Sequence, residues 1–220
     1  DGFPISVRLF REMHELLLQG ARGQHRRPGE LRKSPVWLGG ATLDDAVFVP
    51  PPPDEMRDAL SDLEKFLHET DLPLLVQLAI AHYQFEMIHP FLDGNGRIGR
   101  LMIPLMLVLR DALPPPLLYL SAFFEQHRSE YYDHLLITSQ CGDLMPWIAF
   151  FLRGVRQQAR DSEERTVRLV ELQHQLRNQL LDEGRPGAKA LVKVVGDTAA
   201  YLSVLSFLRV IAESTVAVMI

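Results

Sequence analysis

His89-Pro90-Phe91-Leu92-Asp93-Gly94-Asn95-Gly96-Arg97-Ile98-Gly99-Arg100 lies between two segments with a helical apolar period. It reads as the end of one helix, a tight loop and the start of the next. Pro90 lacks an N–H and stops the first helix near Ile88 or His89. Gly94 and Gly96 free the backbone to turn N–H groups inward as a concave anion-binding nest. The helix that begins behind them adds its unpaired N–H groups and the positive end of its dipole. Arg97 and Arg100, three residues apart, emerge on one face. The loop is built for polyphosphate.

Two further side chains in the stretch bring chemistry. The Asp93 carboxylate beside an anion nest calls for a cation, and Mg2+ fits, since it takes one or two carboxylates and completes its shell with phosphate and water. His89, with an ordinary imidazole pKa near neutrality, is suited to take a proton from an attacking hydroxyl. Base, metal ligand, phosphate nest and two guanidinium clamps within twelve residues point to nucleotidyl or phosphoryl transfer.

Outward from this stretch the chain is helical. Apolar stripes predict helices over Val7–Gln19 (Leu9, Met13, Leu16, Leu17), Asp54–Thr70 (Met56, Leu60, Leu63, Leu67), Pro73–Ile88 and Asn95–Asp111. Further helices are predicted over Ser121–Gln140, Asp143–Ala159 and Ser162–Asp182, the last of them charged and peripheral; Gly154 is an interior weakness. Between Leu31 and Val49, Val36-Trp37-Leu38 and Val47-Phe48-Val49 flank a loop with Gly39, Gly40, Asp44 and Asp45. That pattern predicts a β-hairpin over a helical body, ended by Pro50–Pro53. The expected fold is mainly α, seven or eight helices with one hairpin flap.

Composition agrees with an ordinary soluble globular protein and narrows the partners. The chain has 220 residues, 47% hydrophobic and 23% charged, with a formal net charge of −5, enough for a core without disulfides. No global basic field attracts nucleic acid or an anionic membrane. The single cysteine, Cys141, excludes an internal disulfide and a cysteine-rich zinc site and fits a cytoplasmic setting. No apolar run is long enough to span a bilayer. The sequence opens at Asp1 and stops within Val216–Ile220, and so reads as a piece of a longer protein.

The central stretch resembles the signature of the Fic family, His-Pro-Phe-x-Asp/Glu-Gly-Asn-Gly-Arg-x-x-Arg, at every specified position. Pro28-Gly29-Glu30-Leu31-Arg32, Trp37-Leu38-Gly39-Gly40, Phe48-Val49-Pro50-Pro51-Pro52, His82-Tyr83-Gln84-Phe85-Glu86 and Tyr131-Tyr132-Asp133 also resemble family blocks. The resemblance implies a Fic domain over 1–183, with a core of about 5–160 and a peripheral helix at 162–182. Residues 184–220 would then be a C-terminal segment, the start of a winged-helix module and the one route to nucleic acid.

The implied reaction moves AMP from ATP to a Ser, Thr or Tyr hydroxyl of a target protein, with release of pyrophosphate. The resemblance gives His89 as general base, Asp93 as Mg2+ ligand, Gly94, Asn95 and Gly96 as anion hole, and Arg97 and Arg100 as clamps on the outer phosphates. Phe91 would be a buried anchor, and Tyr131 or Tyr132 would border the adenine. Residues 36–49 would be a flap that pairs with the target. Gly96 stands where the related death-on-curing kinases carry lysine, which favours AMP transfer over phosphate transfer. Alternatives on the same site are a nucleotide-sensing transcriptional regulator and a hydrolase that removes AMP. The family's inhibitory pattern, Ser/Thr-x-x-x-Glu-Gly/Asn, is absent from the sequence, so an inhibitory helix upstream or a separate antitoxin chain is expected, and self-modification with it.

Overall fold

The computed structural model describes residues 5–19, 27–69, 71–112 and 118–182. The C-terminal segment for which a winged-helix start is expected lies outside them. Seven α-helices make up the described fold: α1 Val7–Leu18, α2 Pro53–His68, α3 Leu74–Ile88, α4 Asn95–Leu109, α5 Leu120–Gln126, α6 Arg128–Cys141 and α7 Met145–Asp182.

Helix α3 is the axis of the bundle. Its residues are apolar nearly all round, as a helix buried on every side must be, and it packs against α2, α4, α6 and α7. Leu78, Ala79, Ala81, Phe85 and Ile88 are buried. The polar groups on this axis are tied down, as burial demands. Trp147 donates its indole N–H to the Ala79 carbonyl at 2.7 Å. Gln77 donates to the carbonyls of Phe66 and Glu69 at 2.7 and 2.8 Å and so caps the end of α2.

The stripe expected on α2 is the buried one: Met56, Leu60, Leu63 and Leu67. On α1 the buried face is turned from expectation. Phe10, His14 and Leu18 are buried, whereas Leu16 is 67% exposed. A histidine occupies the centre of that face because its two ring nitrogens find partners there, as described below.

Three boundaries differ from the sequence reading. The segment 121–140 is two helices, because His127 adopts φ −110° and ψ 39° and breaks the chain between α5 and α6. The segments 143–159 and 162–182 are one continuous helix, α7, since no Pro or Gly interrupts Ala159–Ser162. The β-hairpin is not formed. Residues 36–49 hold one antiparallel bridge, Leu38 to Phe48, and no strand is present among the described residues. Gly39 and Gly40 take φ of 69° and 75° directly after Leu38 and turn the chain out of pairing, and Pro50 ends it on the other side. Trp37, Val47 and Val49 stay exposed, with no neighbouring sheet to extend.

Candidate active site

The loop between α3 and α4 is fixed by its own side chains. His89 ends α3 in the left-handed region, φ 49° and ψ 60°, an uncommon conformation for a residue with a Cβ. It swings the next residues back across the helix end. Phe91 is fully buried and anchors the loop in the core. Asn95 clamps the turn at both ends: its Oδ1 accepts from the Phe91 N–H and its Nδ2 donates to the Phe91 carbonyl, each at 2.8 Å. The Asn95 side chain is therefore structural, and its backbone N–H is what remains for an anion. Gly94, at φ 84°, is the N-cap of α4, and its N–H donates to Asp93 Oδ1 at 2.6 Å.

The two arginines approach different residues of this turn. Arg97 reaches back to Asp93, Nη2 to Oδ1 3.7 Å. The guanidinium of Arg100 lies over Gly96, where a Cβ would come within 3.0 Å of Nη1. Both are half-buried, while Asp93 is exposed. A single open carboxylate beside a glycine turn at a helix N-terminus suits Mg2+, which draws most of its shell from substrate and water. Among the described residues no group of three or more acidic, His or Cys side chains is arranged to hold a metal.

His89 faces a cavity of about 510 Å³ whose other walls include Leu38, Gly39, Phe48, Gly96 and Tyr132. The flap, the glycine turn and the imidazole thus share one space. The Glu86 carbonyl accepts from Nδ1 of His89 at 3.3 Å. A carbonyl only accepts, so Nδ1 carries the proton and Nε2 keeps its lone pair. Burial, opposed by that hydrogen bond and aided by the Arg32 charge, lowers the His89 pKa to about 4. The ring is neutral at physiological pH.

The paired tyrosines divide their roles. Tyr131 is buried, and its hydroxyl donates to Nε2 of His82 at 3.0 Å; desolvation raises its pKa well above the usual value. Tyr132 is 53% exposed and lines the cavity. His82 is a core residue: Nδ1–H donates to the Gly99 carbonyl at 3.1 Å, the ring stacks on Phe124 and Trp147, and desolvation lowers its pKa to about 4.

Three residues near the site have roles that the sequence reading does not assign. Glu86 is buried with Oε1 lacking a hydrogen-bond partner, and desolvation, partly offset by Arg100, raises its pKa to about 7. A Cβ on Gly99 would lie 2.5 Å from that oxygen, so glycine makes the room. The available signals for Glu86 are its place in the His82–Glu86 block and its i,i+3 spacing from His89. His14 and Arg32 hold the loop from distant parts of the chain, and spacing gives no hint of either.

The geometry can be set beside known proteins. A family model described as Fic/DOC family matches residues 4–107. Residues 4–107 belong to the Fic/DOC family. The chain is 34% identical over 144 residues to a protein of Aedes aegypti named protein adenylyltransferase Fic, covering 64% of this chain and 24% of that protein. A protein of the same name from Drosophila melanogaster is 34% identical over 125 residues, covering 56% of this chain and 23% of the relative. Among solved structures, a Fic family protein from Desulfovibrio desulfuricans aligns with TM-score 0.61 and 32% identity over 71% of this chain and 46% of its own. Fic-1 from C. elegans aligns with TM-score 0.51 and 28% identity, over 67% of this chain and 39% of its own. The chain thus spans about a quarter of the length of these curated Fic relatives. Among the described residues no helix is long and apolar enough to cross a membrane.

Proposed function

We propose that this chain is a protein adenylyltransferase, carrying AMP from ATP to a Ser, Thr or Tyr hydroxyl of a target protein. The observation that carries the reading is a neutral imidazole with a free Nε2 facing the same cavity as a glycine turn at a helix N-terminus. The names of the Fic relatives support it.

In this reading the backbone N–H groups at Asn95 and Gly96 receive the inner phosphates, and Arg97 and Arg100 hold the outer ones. Asp93 would hold Mg2+, which supplies charge neutralisation on the phosphates when bound. Tyr132 borders the base, with Tyr131 behind it. The target segment lies along Leu38–Phe48 and offers its hydroxyl to His89. As the oxygen attacks the α-phosphorus, Nε2 of His89 takes its proton. An O–P bond forms, the bond from the α-phosphorus to the pyrophosphate oxygen breaks, and pyrophosphate leaves. Incoming phosphate charge raises the affinity of His89 for that proton at the moment it is needed. An inhibitory helix or antitoxin chain would act by occupying Arg100.

Incubation with α-labelled and γ-labelled ATP tests the reading. Label should enter protein from the α position alone and vanish in His89→Ala. Transfer from the γ position, or undiminished transfer by His89→Ala, would overturn it.

A further inference from the structure

Arg32 is almost completely buried, at 1% exposure, and among the described residues no carboxylate lies within ion-pairing distance of it. A buried cation of this kind must be stabilised by other groups. Its partners are all carbonyl oxygens. Nε donates to the His89 carbonyl at 2.8 Å, and Nη2 donates to Ile88 at 3.3 Å and to Pro51. Nη1 donates to the Ser34 carbonyl at 3.3 Å. The Arg32 backbone N–H donates to the Pro90 carbonyl at 2.9 Å.

These acceptors fall into two groups. Ile88, His89 and Pro90 are the last carbonyls of α3 and its exit, which lack partners within the helix and sit at the negative end of its dipole. Ser34 and Pro51 are the two roots of the flap, where the chain leaves toward Leu38 and where it returns from Phe48. One planar guanidinium therefore joins both roots of the flap to the backbone of the left-handed His89. A guanidinium holds several acceptors in one fixed plane; an ammonium is a single point with free rotation.

We infer that Arg32 is a positioning residue that couples the flap to the base, fixing the gap between a hydroxyl held at Leu38–Phe48 and the His89 imidazole. The inference rests on the reading of His89 as base. None of the Arg32 side-chain hydrogen bonds goes to the nucleotide nest at Gly94–Arg100, so coupling of this kind acts on the transfer step and on the target.

The test compares wild type with Arg32→Lys and, as a neutral second variant, Arg32→Gln. Three quantities are measured: ATP affinity, kcat and target KM per folded molecule, and amide hydrogen exchange along the chain. Arg32→Lys should bind ATP with unchanged affinity while kcat falls about 100-fold, the scale of a misplacement near 1 Å, and target KM rises. Exchange should quicken together at residues 34–51 and 89–91, with α2 and the first half of α7 unaffected. Unchanged kcat per folded molecule, or faster exchange at the flap alone, would overturn the coupling. Failure of both variants to fold would overturn it too, leaving Arg32 a core residue only. If wild type transfers no AMP, the functional reading fails, while the joint exchange response still decides whether Arg32 links the two segments.

Discussion

His14 and Phe91 stack face to face, with ring centroids 3.9 Å apart and planes 5° from parallel. The same imidazole makes two hydrogen bonds, which fix its tautomer. Nδ1 accepts from the Gly29 N–H at 2.9 Å, so Nε2 carries the proton and donates it to the Asp93 carbonyl at 2.9 Å. Desolvation lowers its pKa, which keeps this neutral form. Helix α1 thereby holds both Phe91, the buried anchor of the α3–α4 loop, and the backbone of Asp93, the proposed Mg2+ ligand. His14→Phe retains a ring for stacking but leaves a buried N–H and a carbonyl without partners, at about 1–3 kcal/mol. Urea unfolding should give a loss in that range, and nucleotide affinity should fall further than unfolding alone explains.

The second prediction concerns acid. An ordinary histidine base would lose activity as pH falls through about 6.5. Burial lowers the His89 pKa to about 4, so the imidazole stays unprotonated well below neutrality. The profile of kcat/KM for ATP, which reports the free enzyme, should stay level down to about pH 5 and decline only beyond it. A limb centred near 6.5 would show that water reaches the ring freely. For stability, the folded pKa lies below the unfolded one. The unfolded chain then takes up more protons between the two, and the contribution from His89 is lost as pH falls through that window.

Glu86 has the opposite sign. Its carboxyl is buried, its Oε1 has no hydrogen-bond partner, and its pKa rises to about 7. The fold favours the protonated acid, so its contribution is complete below the unfolded carboxyl pKa and is lost as pH rises toward 7. Glu86→Gln removes that dependence. The variant should match wild type near pH 4.5 and exceed it by up to about 3 kcal/mol near pH 8. Thermal melts at the two pH values measure the difference. Equal gains at both would mean that the carboxyl is not desolvated.

Legibility in the sequence followed the punctuation. Pro90 and Gly94 mark the turn between α3 and α4 so sharply that the loop could be located to the residue, and the α2 stripe could be read off its spacing. Where punctuation is weak the reading failed. His127 carries no Gly or Pro signal yet breaks 121–140, and the Gly39-Gly40 pair that signals a hairpin here turns the chain away after one bridge. Residues 89–100 could be read together as one loop because they are contiguous. Arg32, His14 and Glu86 were not legible in these roles, because their contacts are carbonyls and rings brought near by packing. The Arg32–His89 contact spans 57 residues and the His14–Asp93 contact 79.

Gly154 illustrates the same lesson and yields the last prediction. Inside α7 it counts as a weak point, and glycine-to-alanine in an exposed helix interior gains about 1 kcal/mol. Here the helix backbone lies against the Phe123 ring: a Cβ at 154 would sit 2.4 Å from Cδ1 and 2.7 Å from Cε1. Phe123 cannot yield easily, since it packs against Phe124, His127 and Phe150 and carries Arg153 over its face. Overpacking of this kind costs about 1–3 kcal/mol, more than the helix propensity returns. Gly154→Ala should therefore lower the melting temperature, and Gly154→Ala with Phe123→Leu should recover part of the loss by opening space for the methyl. A rise in melting temperature for the single variant would mean that α5 and α7 lie farther apart than described.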